Sequence, residues 1–264
     1  MFRTIIGGVA DHAGSSPSSS TQVRFYEDAY SQDPISAVRY ARWRALGALG
    51  KAEHAIALCA EAGIAPASTL DVGCGDGALL GELYRRGFGG RLSGVEIAAA
   101  AVLIARARPG IDSVERFDGH NLTAGDRAYD LGILSHVLEH VASPEALLGE
   151  VARVSKAVLV EVPLEDNLSA RRPSKRRHAG EIGHLQRLNR GTVQAIAWRA
   201  GLVVAGELTD PLDRHVHRFF AATPAARRTA TARWAVRASI HTLAPRLARR
   251  LFTVHYACLC LPDA

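Results

Sequence analysis

Apolar and polar positions follow two rhythms along this chain. From Asp33-Pro34 to about Ala62, apolar residues recur at helical spacing, as at Val38, Ala41, Ala45 and Leu49. A capping carboxylate followed by Pro at the first helical position marks the start. Gly47 and Gly50 predict a break between two helices, and Gly63 predicts the end. Beyond Pro66 short aliphatic runs alternate with helical segments. The predicted strands are 68–73, 91–97, 113–118, 129–135 and 157–162, with two more near 202–209 and 252–260. Helical patterns fall at 77–87, 98–107, 144–153 and 191–200. Such alternation predicts an α/β chain whose parallel sheet is covered on both faces.

Composition adds little to that picture, whereas charge adds more. With 48% hydrophobic and 22% charged residues, the 264-residue chain reads as a globular α/β protein rather than a disordered one. No apolar run approaches the ~20 residues that span a bilayer, and Met1 to Ala10 does not read as a signal peptide. Cys59, Cys74, Cys258 and Cys260 show neither metal spacing nor a disulfide framework, which points to a reducing cytoplasm. Residues 11–22 are small and polar, so 1–22 is expected to be mobile. The net charge of +6 is concentrated: no acidic residue lies between Asp213 and Asp263, while arginine recurs from Arg214 to Arg250. A second basic run occupies 171–177. These segments offer a surface for an anionic metabolite, nucleic acid or membrane, or are simply a solvated face.

The chemistry-bearing motifs sit at strand ends. Asp71-Val72-Gly73-Cys74-Gly75-Asp76-Gly77 closes the first strand, where the glycines allow a sharp turn and close approach of a ligand. The following helix aims its N-terminal N–H groups at the same place. Gly94-Val95-Glu96-Ile97 ends the second strand with a carboxylate suited to a ribose diol. Phe117-Asp118-Gly119 places another where an adenine amino group would be met. Tyr129-Asp130 opens a strand that runs into Ser135-His136-Val137-Leu138-Glu139-His140-Val141, and Glu161-Val162-Pro163 ends the next.

Together these motifs resemble the class I S-adenosylmethionine-dependent methyltransferases, particularly small-molecule members related to ubiquinone-biosynthesis enzymes, over roughly residues 65–205. The resemblance implies a Rossmann-like doubly wound seven-stranded sheet with its last strand antiparallel, supplied by 252–260. Around it lie N-terminal helices (23–64) and a basic C-terminal helical insertion (about 223–250), with 65–264 forming the methyltransferase domain. It also implies S-adenosyl-L-methionine as cofactor, surrounded by Asp71, Gly73, Gly75, Glu96, Ile97, Asp118, Gly119 and Ser135.

The acceptor side is less defined. His184, in a Gly-His-Leu after the fifth strand and a long basic loop, is the candidate general base, with His136 second. Glu161 and Glu165 are candidates to orient a histidine or bind the acceptor, and Tyr26 and Tyr30 to close over the cofactor. His136-x-x-Glu139-His140 matches a zinc-protease pattern, but it straddles a strand end and a helix start, so no metal site is expected. The Asn/Asp-Pro-Pro-aromatic motif of many nucleic-acid amino-methyltransferases is lacking. O-methylation of an anionic or membrane-associated small molecule is therefore favoured. RNA methylation, a non-catalytic cofactor-binding partner subunit and a nicotinamide-dependent oxidoreductase are the competing readings.

Overall fold

A computed structural model describes Tyr30 and residues 34–263; the stretch 1–22 and Tyr26 lie outside the described residues. Helix α1 spans Pro34–Glu61. There follow β1 (Ser68–Val72), α2 (Ala78–Arg85), β2 (Arg91–Glu96), α3 (Ala99–Arg106), β3 (Ser113–Arg116) and β4 (Tyr129–Ser135). A 3-10 turn at Leu138–His140 leads to α4 (Pro144–Val154), β5 (Ser155–Pro163), α5 (Pro173–Glu181), α6 (Arg190–Arg199) and β6 (Leu202–Asp210). The chain ends in α7 (Arg214–Arg218), α8 (Pro224–Leu243), α9 (Pro245–Leu251) and β7 (His255–Pro262).

The seven strands form one sheet in the order β3-β2-β1-β4-β5-β7-β6. Pairings from β3 through β5 are parallel, and β7 runs antiparallel to both β5 and β6. Residues of each strand alternate between two cores. Leu131, Ile133, Ala157 and Leu159 join Leu58, Leu80 and Leu83 of α1 and α2 on one face. Leu134, Val158, Val160 and Val162 join Leu148, Val151, Val193 and Ile196 of α4 and α6 on the other. Both faces are thus covered, as the alternating pattern predicts. The chain winds outward from β1 to β3 and returns at β4, so the crevice between β1 and β4 is the topological switch point where such sheets bind ligands.

Two expectations need correction. The break at Gly47 and Gly50 is absent, and α1 is one 28-residue helix. A helical glycine costs about 1 kcal/mol relative to alanine, which the buried second half of α1 (Ala48, Ala52, Ala55, Leu58, Cys59) readily offsets. The helical spacing of Val38, Ala41, Ala45 and Leu49 holds within α1, although Val38, Ala45 and Leu49 are exposed and Leu49 lines a cavity. Lastly, the expected basic loop contains a short helix, α5, with no buried residue. Gly63 does end α1 in a left-handed turn, with Ile64 N–H donating to Cys59 C=O and Gly63 N–H to Ala60 C=O. Cys59, Cys74, Cys258 and Cys260 are free and buried. No helix among the described residues is long and apolar enough to cross a membrane.

Candidate active site

A cavity of about 1690 Å³ opens over the carboxyl ends of the parallel strands, larger than the ~300–1,000 Å³ of ordinary single-ligand sites. Two ligands side by side would fit it.

Its first half is built by the turn after β1. Gly73 and Gly75 take left-handed φ values of 75° and 56°. A Cβ on Gly73 would lie 2.7 Å from Val137, and one on Gly75 would lie 2.5 Å from the Tyr30 hydroxyl. Backbone therefore forms the cavity wall where side chains would block it. Glu96 braces this turn, its carboxylate accepting from Gly75 N–H at 2.8 Å and Ala98 N–H at 3.0 Å. Arg44 Nε donates to Asp76 at 2.9 Å, and its guanidinium lies 4.7 Å from the centre of the Tyr30 ring. Asp76 also faces Arg108 at 3.2 Å. Burial lifts the Asp71 carboxyl to about 7, with the Glu96 anion pushing further and Lys51 pulling back. Ser135, at the end of β4, has a buried hydroxyl with no hydrogen-bond partner. Such an orphan inside a ligand-sized cavity calls for an occupant.

The second half is lined by imidazoles and carboxylates. The Glu161 carboxylate, on β5, is fully buried and meets His54 Nδ1 at 3.4 Å and His255 Nδ1 at 3.3 Å. His54 Nε2 meets Asp210 at 3.3 Å. Burial works against the His54 cation, but Asp210 and Glu161 outweigh it and lift its pKa to about 9. His136 sits in the left-handed region at φ 60°, a conformation costly for a residue with a Cβ and typical of functional sites. Burial, with Lys51 and His255 nearby, lowers its pKa to about 4. Farther along, His184 Nδ1 meets the Glu165 carboxylate at 2.8 Å, and its ring packs edge-on against His140. His140 Nδ1 in turn lies 3.1 Å from Gly183 C=O.

The profile of a methyltransferase domain family matches residues 40–206. The chain belongs to that family. The bifunctional methionine biosynthesis protein MetXA/MetW of Rhodopirellula baltica is 36% identical over 107 residues, covering 38% of this chain and 17% of that protein. The chain spans less than a third of the length of the curated relatives it matches. Among solved structures, an S-adenosylmethionine-dependent methyltransferase of Thermotoga maritima aligns over 92% of this chain and 99% of its own, with TM-score 0.59 and 14% identity. The geranyl diphosphate C-methyltransferase of Streptomyces coelicolor, in complex with Mg²⁺, geranyl diphosphate and S-adenosyl-L-homocysteine, aligns over 74% and 70%, with TM-score 0.54 and 15% identity. At these identities the likeness is one of fold.

Within this methyltransferase domain Asp71, Gly73, Gly75, Glu96, Ile97, Asp118, Gly119, Ser135, His136 and His184 all line the same cavity. Their states differ from the simple expectation in two places. Asp118 spends its carboxylate on its own turn, accepting from His120 N–H and Asn121 N–H at 2.7 Å each and from the Asn121 amide at 3.1 Å. His136 has both ring nitrogens engaged, Nδ1 facing Glu139 at 3.1 Å and Nε2 facing His255 at 3.2 Å. The H-x-x-E-H run straddles the end of β4 and the 3-10 turn at Leu138–His140, and its two histidines fall in different groups of converging donors. Sequence reasoning missed His54, Asp210 and His255. A topological signal existed for two of them: β7 is antiparallel, so its first residue, His255, lies at the ligand edge, beside Asp210 at the last residue of β6.

Proposed function

We propose that this methyltransferase domain transfers a methyl group from S-adenosyl-L-methionine to a hydroxyl of a small anionic or membrane-associated metabolite. The observation that carries this reading is the division of one cavity into a glycine-walled half with an orphaned Ser135 hydroxyl and a half containing the Glu165–His184 pair. In the first half, Glu96 would exchange its Gly75 contact for the ribose diol, and the neighbouring Gly73, Ile97, Asp118 and Gly119 would frame the nucleoside. The Asp71 carboxylate, once ionised, would favour the positively charged methionine end. In the second half, Glu165 holds His184 by Nδ1, and the opposite nitrogen would take the acceptor proton. S-adenosyl-L-methionine, held by the glycine-walled half, would supply a sulfonium-activated methyl group, whose bond to sulfur would break with its electron pair going to sulfur as the acceptor oxygen bonds the carbon. Alignment and exclusion of water supply the rest of the acceleration. The structural neighbour that acts on geranyl diphosphate shares this fold, which supports an anionic acceptor.

A second reading, RNA methylation, draws on α5 and α8, whose arginines and lysine lie on helices with no buried residue. RNA or anionic-vesicle binding that falls steeply with salt would favour a polyanionic acceptor. The deciding experiment pairs calorimetry with turnover. S-adenosylmethionine and S-adenosylhomocysteine should bind, and NAD and NADP should not. Methyl-labelled cofactor incubated with cell extract should give a labelled product whose mass identifies the acceptor. Preferential NAD binding would overturn the reading, and cofactor binding with no labelled product would favour a non-catalytic partner subunit.

A further inference from the structure

His136, Glu161 and His255 come from three separate elements: the residue after β4, the interior of β5 and the first residue of β7. Their donor atoms converge. His136 Nε2 and His255 Nδ1 are 3.2 Å apart, His255 Nδ1 and Glu161 Oε1 3.3 Å, and His136 Nε2 and Glu161 Oε1 3.9 Å. A triangle with those sides has its circumcentre about 2.0 Å from each corner. That is the ligand distance of a Zn²⁺-sized ion, about 2.0–2.1 Å to histidine nitrogen and 2.0–2.2 Å to carboxylate oxygen. We propose that His136, Glu161 and His255 form a divalent transition-metal site on the floor of the cavity.

The surroundings have the character of a metal site's supporting shell. Glu139 stands 3.1 Å from His136 Nδ1, and His54 stands 3.4 Å from the second Glu161 oxygen while Asp210 holds its far side. Carboxylates that fix a ligating histidine from behind are the usual arrangement around bound metals. Glu139 and Glu161 are both buried, and Glu139 Oε2 makes no hydrogen bond within the protein, so two carboxylates stand against the imidazoles in a buried site. Two imidazoles and one carboxylate suit Zn²⁺, Fe²⁺ or Co²⁺ better than Mg²⁺ or Ca²⁺, which prefer all-oxygen shells. Three protein donors leave coordination positions toward the cavity, as in metal sites that act on a substrate. The strained φ of His136 has a purpose on this view: it turns the residue after β4 back toward β5 and β7, with His136 N–H donating to Glu161 C=O at 2.8 Å. The site itself stands on geometry alone. Its use rests on the methyl-transfer reading: the ion would take an acceptor oxygen as ligand and favour loss of its proton, selecting acceptors with a hydroxyl able to bind a metal.

A second group, Glu139, His140 and His184, also brings three donors within 4.8 Å of one another, so the test must separate the two. Chelator-treated full-length protein is titrated with Co²⁺ and followed by visible absorption, then by Zn²⁺ displacement. The expected result is a d–d band that saturates at one ion per chain. His255→Ala and His136→Ala should each weaken Co²⁺ affinity by more than about 100-fold, beyond the 10–100-fold typical of losing an outer-shell partner. His140→Ala should retain the band. Absence of a band and of Zn²⁺ uptake in the wild type overturns the proposal whatever the variants do. A band that survives His255→Ala, or that His140→Ala removes, also overturns it. S-adenosylhomocysteine calorimetry on the same samples keeps the two readings apart: cofactor binding without metal binding defeats the metal site alone, and metal binding without cofactor binding defeats the methyltransferase reading alone.

Discussion

Above β1 and β2 the cavity wall is largely backbone, left-handed glycines and N–H groups, with the carboxylates of Asp71, Asp76 and Glu96 beside them. Above β4, β5 and β7 it is side chains: His54, His136 and His255 gathered round Glu161, with His184 held by Glu165 beyond them. The contrast follows from what each half is proposed to hold. A backbone wall fits one ligand shape closely and tolerates little change, as the 2.5 and 2.7 Å approaches to absent Cβ atoms at Gly75 and Gly73 show. A wall of ionisable side chains can be retuned one residue at a time, which suits the half that would define an acceptor. Substitutions should therefore separate cleanly: those in the second half should change turnover, and those in the first should change cofactor affinity.

The largest effect is expected at His184. If it removes the acceptor proton, His184→Ala should lower turnover by about 10²–10⁴-fold while the S-adenosylhomocysteine dissociation constant stays within error. Glu165→Gln should show the same split with a smaller loss, because it removes the partner of Nδ1 but keeps the imidazole. Single-turnover rates and calorimetry on each variant, with thermal melts to exclude misfolding, decide the matter. Equal loss of cofactor affinity would merge the two halves and break the contrast.

Next in size is Glu96→Ala. It removes the acceptor of both the Gly75 and Ala98 N–H groups and the proposed ribose contact, so cofactor binding should weaken by about 1–3 kcal/mol, the scale of hydrogen bonds to a charged group. Calorimetry with S-adenosylmethionine measures it directly. A variant that binds normally would show that Glu96 only braces the turn.

The two halves also differed in how much could be read without a structure. The first is contiguous: Asp71 to Gly77 form one turn, and Glu96, Asp118 and Ser135 fall at the ends of strands whose hydrophobic pattern is plain. Local sequence and the doubly wound topology are enough to bring them together. The second draws on positions 54, 136, 161, 184, 210 and 255, which no local pattern links. Only the antiparallel insertion of β7 between β5 and β6 carries His255 to Glu161. His54 was hidden for another reason. It lies in the buried half of α1, on the face that packs against the sheet, where a histidine reads as one more helical residue. Gly47 and Gly50 misled because a propensity of about 1 kcal/mol yields to tertiary packing.

Asp71 offers a pH test of the first half. Its pKa is raised by burial to about 7 from the ordinary 3.8, so the folded chain holds this proton more tightly than the unfolded one. The sign is then fixed: its contribution to stability is greatest below pH 3.8 and declines as pH rises toward about 7. A cationic ligand beside it favours the ionised form, so S-adenosylmethionine affinity should rise about tenfold between pH 6 and 8 and level off above, a change of roughly 1.4 kcal/mol. Asp71→Asn should flatten that profile. A wild-type profile that is already flat would place the cofactor's positive charge away from Asp71.

The smallest expected effect tests the boundary between core and cavity. Gly47 lies inside α1, and a Cβ placed there meets nothing within 4 Å. Gly149, inside α4 on the other face of the sheet, is equally open. Replacing either by alanine restricts the unfolded chain and removes the helical penalty of glycine, which stabilises by about 0.4–1 kcal/mol where the backbone accepts the change. Both variants should therefore melt at slightly higher temperature by calorimetric scanning. Their activities should part company, because Gly47 lines the cavity and Gly149 does not. If the acceptor lies against α1, Gly47→Ala should raise KM while Gly149→Ala leaves it unchanged. Equal KM values with equal stabilisation would show that the space beside Gly47 is solvent, and would confine the acceptor to the histidine-lined floor.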